Sequence, residues 1–312
     1  MKQKKRDLVS LFDLSAGDIW SLLKTAIRLK SGARTTDILH RKTLGLIFEK
    51  PSTRTTVSFA VAMHQLGGFP LILNAQNLQR KRGETIRDTA LTLSRYLDAI
   101  MIRAFRHGDV VELARWATIP VINGLTDSEH PCQVLGDILT IMEHNNIRSV
   151  AALKKLKVVF SGDGNNMSQS WIVAASLLGF TFILACPEGY GPDAELLKQA
   201  QRKALSSGAK ISITRDVVGA VADADAIYTD VWTSMGDEAE EGKRKKDFKP
   251  YQVNARLIAK AKRDCLIMHC LPAIRGEEVT ADVLDGPQSV IFDQAENRLH
   301  IQKAVLLFLL KS

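Results

Sequence analysis

Nine short apolar runs, each followed by a polar turn and then by a helical pattern, constrain this chain more than any other feature of its sequence. They lie at 44–48, 71–73, 99–102, 121–122, 158–160, 182–185, 211–213, 226–228 and 266–268. Such alternation implies parallel sheets with helices on both faces, because a parallel connection has to cross over the sheet. At 312 residues the chain suits two domains better than one core. The expected fold class is therefore α/β, with two domains, each a parallel sheet flanked by helices. Helical spacing of Ile19, Leu22, Leu23 and Ile27 predicts a first helix over 15–29, with Ser15 and Asp18 set as a capping box. Val134, Leu135, Ile138, Leu139 and Met142 predict a helix over 131–145 that links the two halves. The apolar segment 304–310 is too short to span a bilayer and reads as a packed terminal helix.

In open parallel sheets ligands bind beyond the carboxyl ends of the strands. Six polar stretches of unusual composition fall there. Ser52 to Thr55 follow the first run, Arg103 the third, and 123–133 with His130 the fourth. Asp163-Gly164-Asn165-Asn166 follow the run at 158–160, 230–236 the run at 226–228, and His269-Cys270-Leu271-Pro272 the last. The first half thus offers cationic and hydroxyl groups, the second Asp, Asn and Cys. Lys50-Pro51-Ser52-Thr53-Arg54-Thr55-Thr56 joins a strand to a helix, so its hydroxyls and Arg54 stand where unpaired N–H groups and the helix dipole favour an anion. Plain N-capping by Ser or Thr is the other reading of the same residues.

A net charge of +8 raises the question of nucleic acid. Aromatic residues make up only 6% of the chain and do not interleave with its basic runs, so these runs read as solvated surface. Neither a nucleic-acid nor a membrane partner is expected. The four cysteines, Cys132, Cys186, Cys265 and Cys270, show neither disulfide-framework nor structural-zinc spacing, so a reducing compartment and no metal are expected. The basic N-terminus lacks the apolar core of a signal peptide, and a cytoplasmic location is expected.

FEKPSTRT, HPCQ, DGNN, DVWTSMG, MHCLPA and AENRLHIQKA occur in that order along the chain. In order and spacing they resemble the ornithine carbamoyltransferases of the aspartate/ornithine carbamoyltransferase superfamily, and the resemblance covers essentially the whole chain. It implies a carbamoyl phosphate-binding domain over 1–145, to which a C-terminal helix at 295–312 returns, and an ornithine-binding domain over 146–294. Ser52, Thr53, Arg54, Thr55, Arg103, His130, Gln133 and Arg298 would bind carbamoyl phosphate, with Cys270 and Leu271 between the two ligands. Asn166, Asp230, Ser234 and Met235 would bind ornithine. Arg54, Arg103, His130 and Cys270 would be the catalytic groups. The resemblance further implies a role in arginine metabolism, no cofactor, and a homotrimer or a multiple of it, with Gln79 reaching a neighbouring subunit's site.

The chain departs from the family pattern at Thr56 and Ala60, where the family usually has Arg and, four residues on, Glu. Both members of a helical charge pair are replaced together. Ile274 stands where His is common, and the loop that carries Gln79 reads QRKRGE rather than QLGRGE. A carbamoyltransferase for another amine and a non-catalytic binding paralogue are the rival readings.

Overall fold

A computed structural model describes residues 5–32, 37–75, 78–79, 83–234 and 238–311. The chain divides into two units, Met1–Leu139 with Glu296–Ser312, and Thr140–Ala295. The division falls inside a helix, six residues before the expected boundary at 145, and the return begins at Glu296.

The first unit contains α1 (Ala16–Lys30), β1 (Thr43–Phe48), α2 (Thr53–Gln65), β2 (Phe69–Asn74), α3 (Ile86–Leu93), β3 (Ala99–Arg103), α4 (His107–Trp116), β4 (Val121–Leu125) and the start of α5 (Pro131–His144). Its sheet runs in the order β2-β1-β3-β4, and every pair is parallel. Ser15 and Asp18 form the expected capping box on α1. Four successive buried residues in β1 and five in β3 mark strands covered on both faces, and Ile47, Ile100, Ile102, Val110 and Leu113 share one core cluster. The edge strand β2 differs, for Phe69, Leu71 and Ile72 are exposed although apolar. α2 begins four residues before the expected Val57, because Ser52 takes the N-cap position and its hydroxyl accepts from the Thr55 amide.

The second unit continues through α6 (Val150–Leu153), β5 (Lys157–Ser161), α7 (Asn166–Leu178), β6 (Thr181–Ala185), α8 (Ala194–Ser207), β7 (Lys210–Thr214), α9 (Val217–Val221), β8 (Ala226–Thr229), α10 (Glu241–Phe248), α11 (Ala255–Ile258), β9 (Leu266–His269), α12 (Ala281–Leu284) and the first turn of α13 (Ile291–Leu310). Its parallel sheet has the order β7-β6-β5-β8-β9. The order reverses between β5 and β8, and the loops after these two strands diverge to leave a ligand position. Phe160 of β5 stacks on Tyr228 of β8 at 5.4 Å, and Trp171 of α7 meets the same Tyr228 edge-on at 5.8 Å.

All nine apolar runs coincide with the nine strands found among the described residues. From Glu296 onward α13 packs on the first unit: Lys30 Nζ donates to Asn297 Oδ1 at 2.9 Å, and the Arg6 guanidinium lies 4.1 Å from the Phe308 ring centre. Among the described residues no helix is long and apolar enough to cross a membrane.

Candidate active site

In the first unit the strand ends gather positive charge around one imidazole. Arg54 sits in the first turn of α2, Arg103 ends β3, His130 immediately precedes α5, and Arg298 comes from α13. Arg103, His130 and Arg298 are buried. Burial, and then Arg298, Arg103 and Arg54 in that order, hold the His130 ring well below the usual histidine range. Both causes disfavour the imidazolium, so His130 is neutral near neutrality and has one N–H to donate and one nitrogen to accept with.

Two hydroxyls of the same stretch are tied down. Ser52 caps Thr55, at 3.2 Å from hydroxyl to amide, so the capping reading holds for this residue. Buried Thr55 accepts from Arg298 Nη2 at 2.7 Å, which directs its own hydroxyl proton elsewhere. Thr53 is exposed and Arg54 half-buried. Gln133, buried in the first turn of α5, donates to Asp137 Oδ1 at 2.8 Å. Gln79 is exposed, and its carbonyl accepts from the Glu84 amide at 3.3 Å. The structure thus brings Arg54, Thr55, Arg103, His130 and Arg298 together electrostatically, and leaves Gln79 on the surface.

The second unit presents a hydrogen-bonded chain. Cys270 Sγ donates to Asp230 Oδ1 at 3.0 Å, and Asn165 Nδ2 donates to Asp230 Oδ2 at 3.0 Å. Asn165 is also the N-cap of α7, accepting from the Met167 and Ser168 amides, so one side chain orients both the helix start and the carboxylate. Asn166 follows it as the first helical residue, and Ser234 is half-buried at the end of the described stretch. Met235 lies outside the described residues. Beside Cys270, fully buried His269 accepts from the Leu271 amide at Nδ1, 2.8 Å away, which leaves the ring proton on Nε2. That nitrogen lies 3.2 Å from the buried carboxylate of Glu278, whose Oε1 accepts from the Ile274 amide. The family resemblance assigns no role to Asn165, His269 or Glu278. Adjacency to Asn166 and to Cys270 points to the first two, whereas Glu278 carries no local signal.

Asp230, His269 and Cys270 offer metal-binding atoms within 4.8 Å of one another. Nδ1 of His269 accepts from the Leu271 amide, Nε2 lies 3.2 Å from Glu278 Oε1, and both oxygens of Asp230 accept hydrogen bonds. Cys270, Asp230 and Asn165 thus form one hydrogen-bonded chain, beside which His269 is held by its own loop.

Two family domains match the chain. The carbamoyl-P binding domain of aspartate/ornithine carbamoyltransferase matches residues 6–143, and the Asp/Orn binding domain matches residues 154–309. The anabolic ornithine carbamoyltransferase of Pyrococcus furiosus is 55% identical over 304 residues, 96% of this chain and 95% of its own. The ornithine carbamoyltransferase of Pyrococcus abyssi is 54% identical over 310 residues, 98% and 96% of the two chains. The solved structure of the Pyrococcus furiosus enzyme superposes with a TM-score of 0.93 at 53% identity, covering 100% of this chain and 99% of that one.

Proposed function

The chain belongs to the aspartate/ornithine carbamoyltransferase family, and from that membership we propose that it transfers the carbamoyl group of carbamoyl phosphate to the side-chain amine of L-ornithine, giving L-citrulline and phosphate. The observation that carries the chemistry is the set of three guanidinium groups, Arg298, Arg103 and Arg54, acting on neutral His130. A doubly charged phosphate needs such a setting as its negative charge grows on departure. Arg54 and Arg103 hold the phosphate, each with a fork that matches two oxygens, together with the hydroxyls of Ser52, Thr53 and Thr55 and the start of α2. His130 and Thr55 donate to the carbonyl oxygen, and Gln133 and Arg298 complete that subsite. The ornithine amine attacks the carbonyl carbon, the new C–N bond forms, the C–O bond to phosphate breaks, and the proton the amine sheds leaves with phosphate. That amine, with an ordinary pKa of about 10.4, has to be neutral at attack, which a desolvated site favours.

Asn166 takes the α-carboxylate of ornithine, Asp230 its α-ammonium, and Ser234 and Met235 line the same subsite. The 3.0 Å contact between Cys270 Sγ and Asp230 favours a second reading, in which the carboxylate and thiol face the reacting amine. Asp230→Asn separates the two. A rise in the ornithine KM alone supports the first, and a fall in kcat with a displaced pH profile supports the second.

The anabolic name of the Pyrococcus furiosus relative favours citrulline formation for arginine biosynthesis. A cytoplasmic homotrimer, or a multiple of trimers, is the assembly we propose. Exposed Phe69 and Ile72 on the edge strand β2, with exposed Val57 on α2, favour self-association through the first unit. Exposed Gln79 is then free to serve a neighbouring site.

Carbamoyl transfer by the purified protein, measured as the ureido product and phosphate formed from carbamoyl phosphate with ornithine, putrescine, lysine or aspartate, tests the function. Ornithine should give the highest kcat/KM. Faster reaction with another amine, or no citrulline at all, overturns the proposal.

A further inference from the structure

One buried cation joins the two stretches that carry Asn166, Asp230 and Ser234. Arg244, in α10, is only 6% exposed. Its Nε donates to the Trp232 carbonyl at 2.7 Å, and its Nη2 pairs with the Asp163 carboxylate. Its Nη1 lies 3.7 Å from the largely exposed carboxylate of Glu240. The guanidinium plane sits over the rings of Tyr190 and Phe248, 5.0 and 5.5 Å from their centres. Tyr190, Trp232 and Phe248 form a separate small core, and the Tyr190 hydroxyl donates to Asp247 and accepts from Lys243. The backbone beneath is close-packed as well. Gly164 N donates to the Tyr190 carbonyl at 2.8 Å, and a Cβ on Gly164 would come within 2.2 Å of the Gly191 carbonyl carbon.

We propose that Arg244 is a positioning residue for the amino-acid substrate: its guanidinium clamps the turn at 163–166 to the stretch at 230–234, setting the separation of Asn166 and Asp230. The inference rests on the ornithine reading above and deepens it. Asp163 lies two residues before Asn165, which itself bonds Asp230, and Trp232 lies two residues after Asp230, so the clamp and the Asn165 bond hold the same pair of segments at two points. An arginine is required for this. Its rigid fork reaches a carbonyl and a carboxylate in diverging directions while its face packs on aromatic rings, whereas a lysine offers one compact charge.

Arg244→Lys keeps the charge and a partner for Asp163, and it loses the second arm to the Trp232 carbonyl. Steady-state kinetics should show the ornithine KM raised roughly tenfold or more, since a small displacement of binding groups costs that much, with the carbamoyl phosphate KM within about twofold of wild type. Hydrogen exchange on the full-length protein should quicken at the amides of 163–167 and 231–234 and stay unchanged at 52–56. Asp163→Asn should act in the same direction from the other end of the clamp. Parallel changes in both KM values, or unaltered exchange in both stretches, overturn the inference. Faster exchange with an unchanged ornithine KM also overturns it, because the clamp is then structural only. If the wild-type protein forms no citrulline the function fails first, and the exchange measurement still decides whether Arg244 holds the two stretches.

Discussion

At the residue scale, burial at two neighbouring positions favours the neutral form of both, lowering the pKa of one and raising that of the other. His130 is kept neutral by burial and three arginines, and Arg54 is the only permanent charge within the turn that opens α2. Arg54→Ala should lower kcat by at least about a hundredfold, the scale on which losing one preorganised charge-stabilising donor acts, and citrulline assays check it. Turnover near wild type would remove this turn from the reacting centre. Glu129, one residue before His130, is 2% exposed and accepts from the Leu11 amide at 3.0 Å. Burial first, against hydrogen bonds from Ser10 and Leu11, pushes its carboxyl from 4.5 up to about 7. Between those values the folded protein holds a proton that the unfolded chain has released. Stability contributed by this group therefore falls as pH rises from about 4.5 to about 7 and is level above, by roughly 3 kcal/mol at most. Glu129→Gln keeps the acceptor for Leu11 and should flatten this part of the stability profile, as urea unfolding across the window would report.

At the element scale, α2 shows what the replaced charge pair costs. Thr56 is half-buried, and its hydroxyl donates to the Ser52 carbonyl at 2.6 Å, closing the first turn where the family pattern has an arginine. Thr56→Arg alone removes that bond and adds a cation close to Arg54, so it should lower the thermal midpoint. Thr56→Arg with Ala60→Glu restores a pair one helical turn apart, and the double-mutant cycle should show favourable coupling of about 0.2–0.5 kcal/mol, weaker at higher salt. Additive effects would mean that the two positions vary independently. The short helices also differ in what sets them. α7 is capped by Asn165, a local signal, whereas α10 is held through Arg244 to Asp163, 81 residues away.

At the scale of the whole molecule, sedimentation of the purified protein should give three protomers or a multiple of three, and Phe69→Asp with Ile72→Asp should dissociate it, because the two changes put charge on an exposed apolar edge. A monomer in the wild type would end the trimer reading. The nine strands, the parallel α/β class and the six polar stretches at the carboxyl ends are legible in the order of residues, since the period of apolar residues and the chemistry of turns and caps act over a few residues. The remainder follows from long-range packing. β2 is as apolar as β1 in sequence, yet four of its six residues are exposed, while β4 at the other edge of the same sheet is buried, so what covers a strand and not its own composition sets its exposure. The bond from Arg298 to Thr55 spans 243 positions, the tie from Glu129 to Leu11 spans 118, and Glu278 finds His269 only through the fold of its loop. Protonation follows the same division: the neutrality of His130 and the raised carboxyl of Glu129 depend on burial and on which distant charges the fold brings near, quantities with no local pattern.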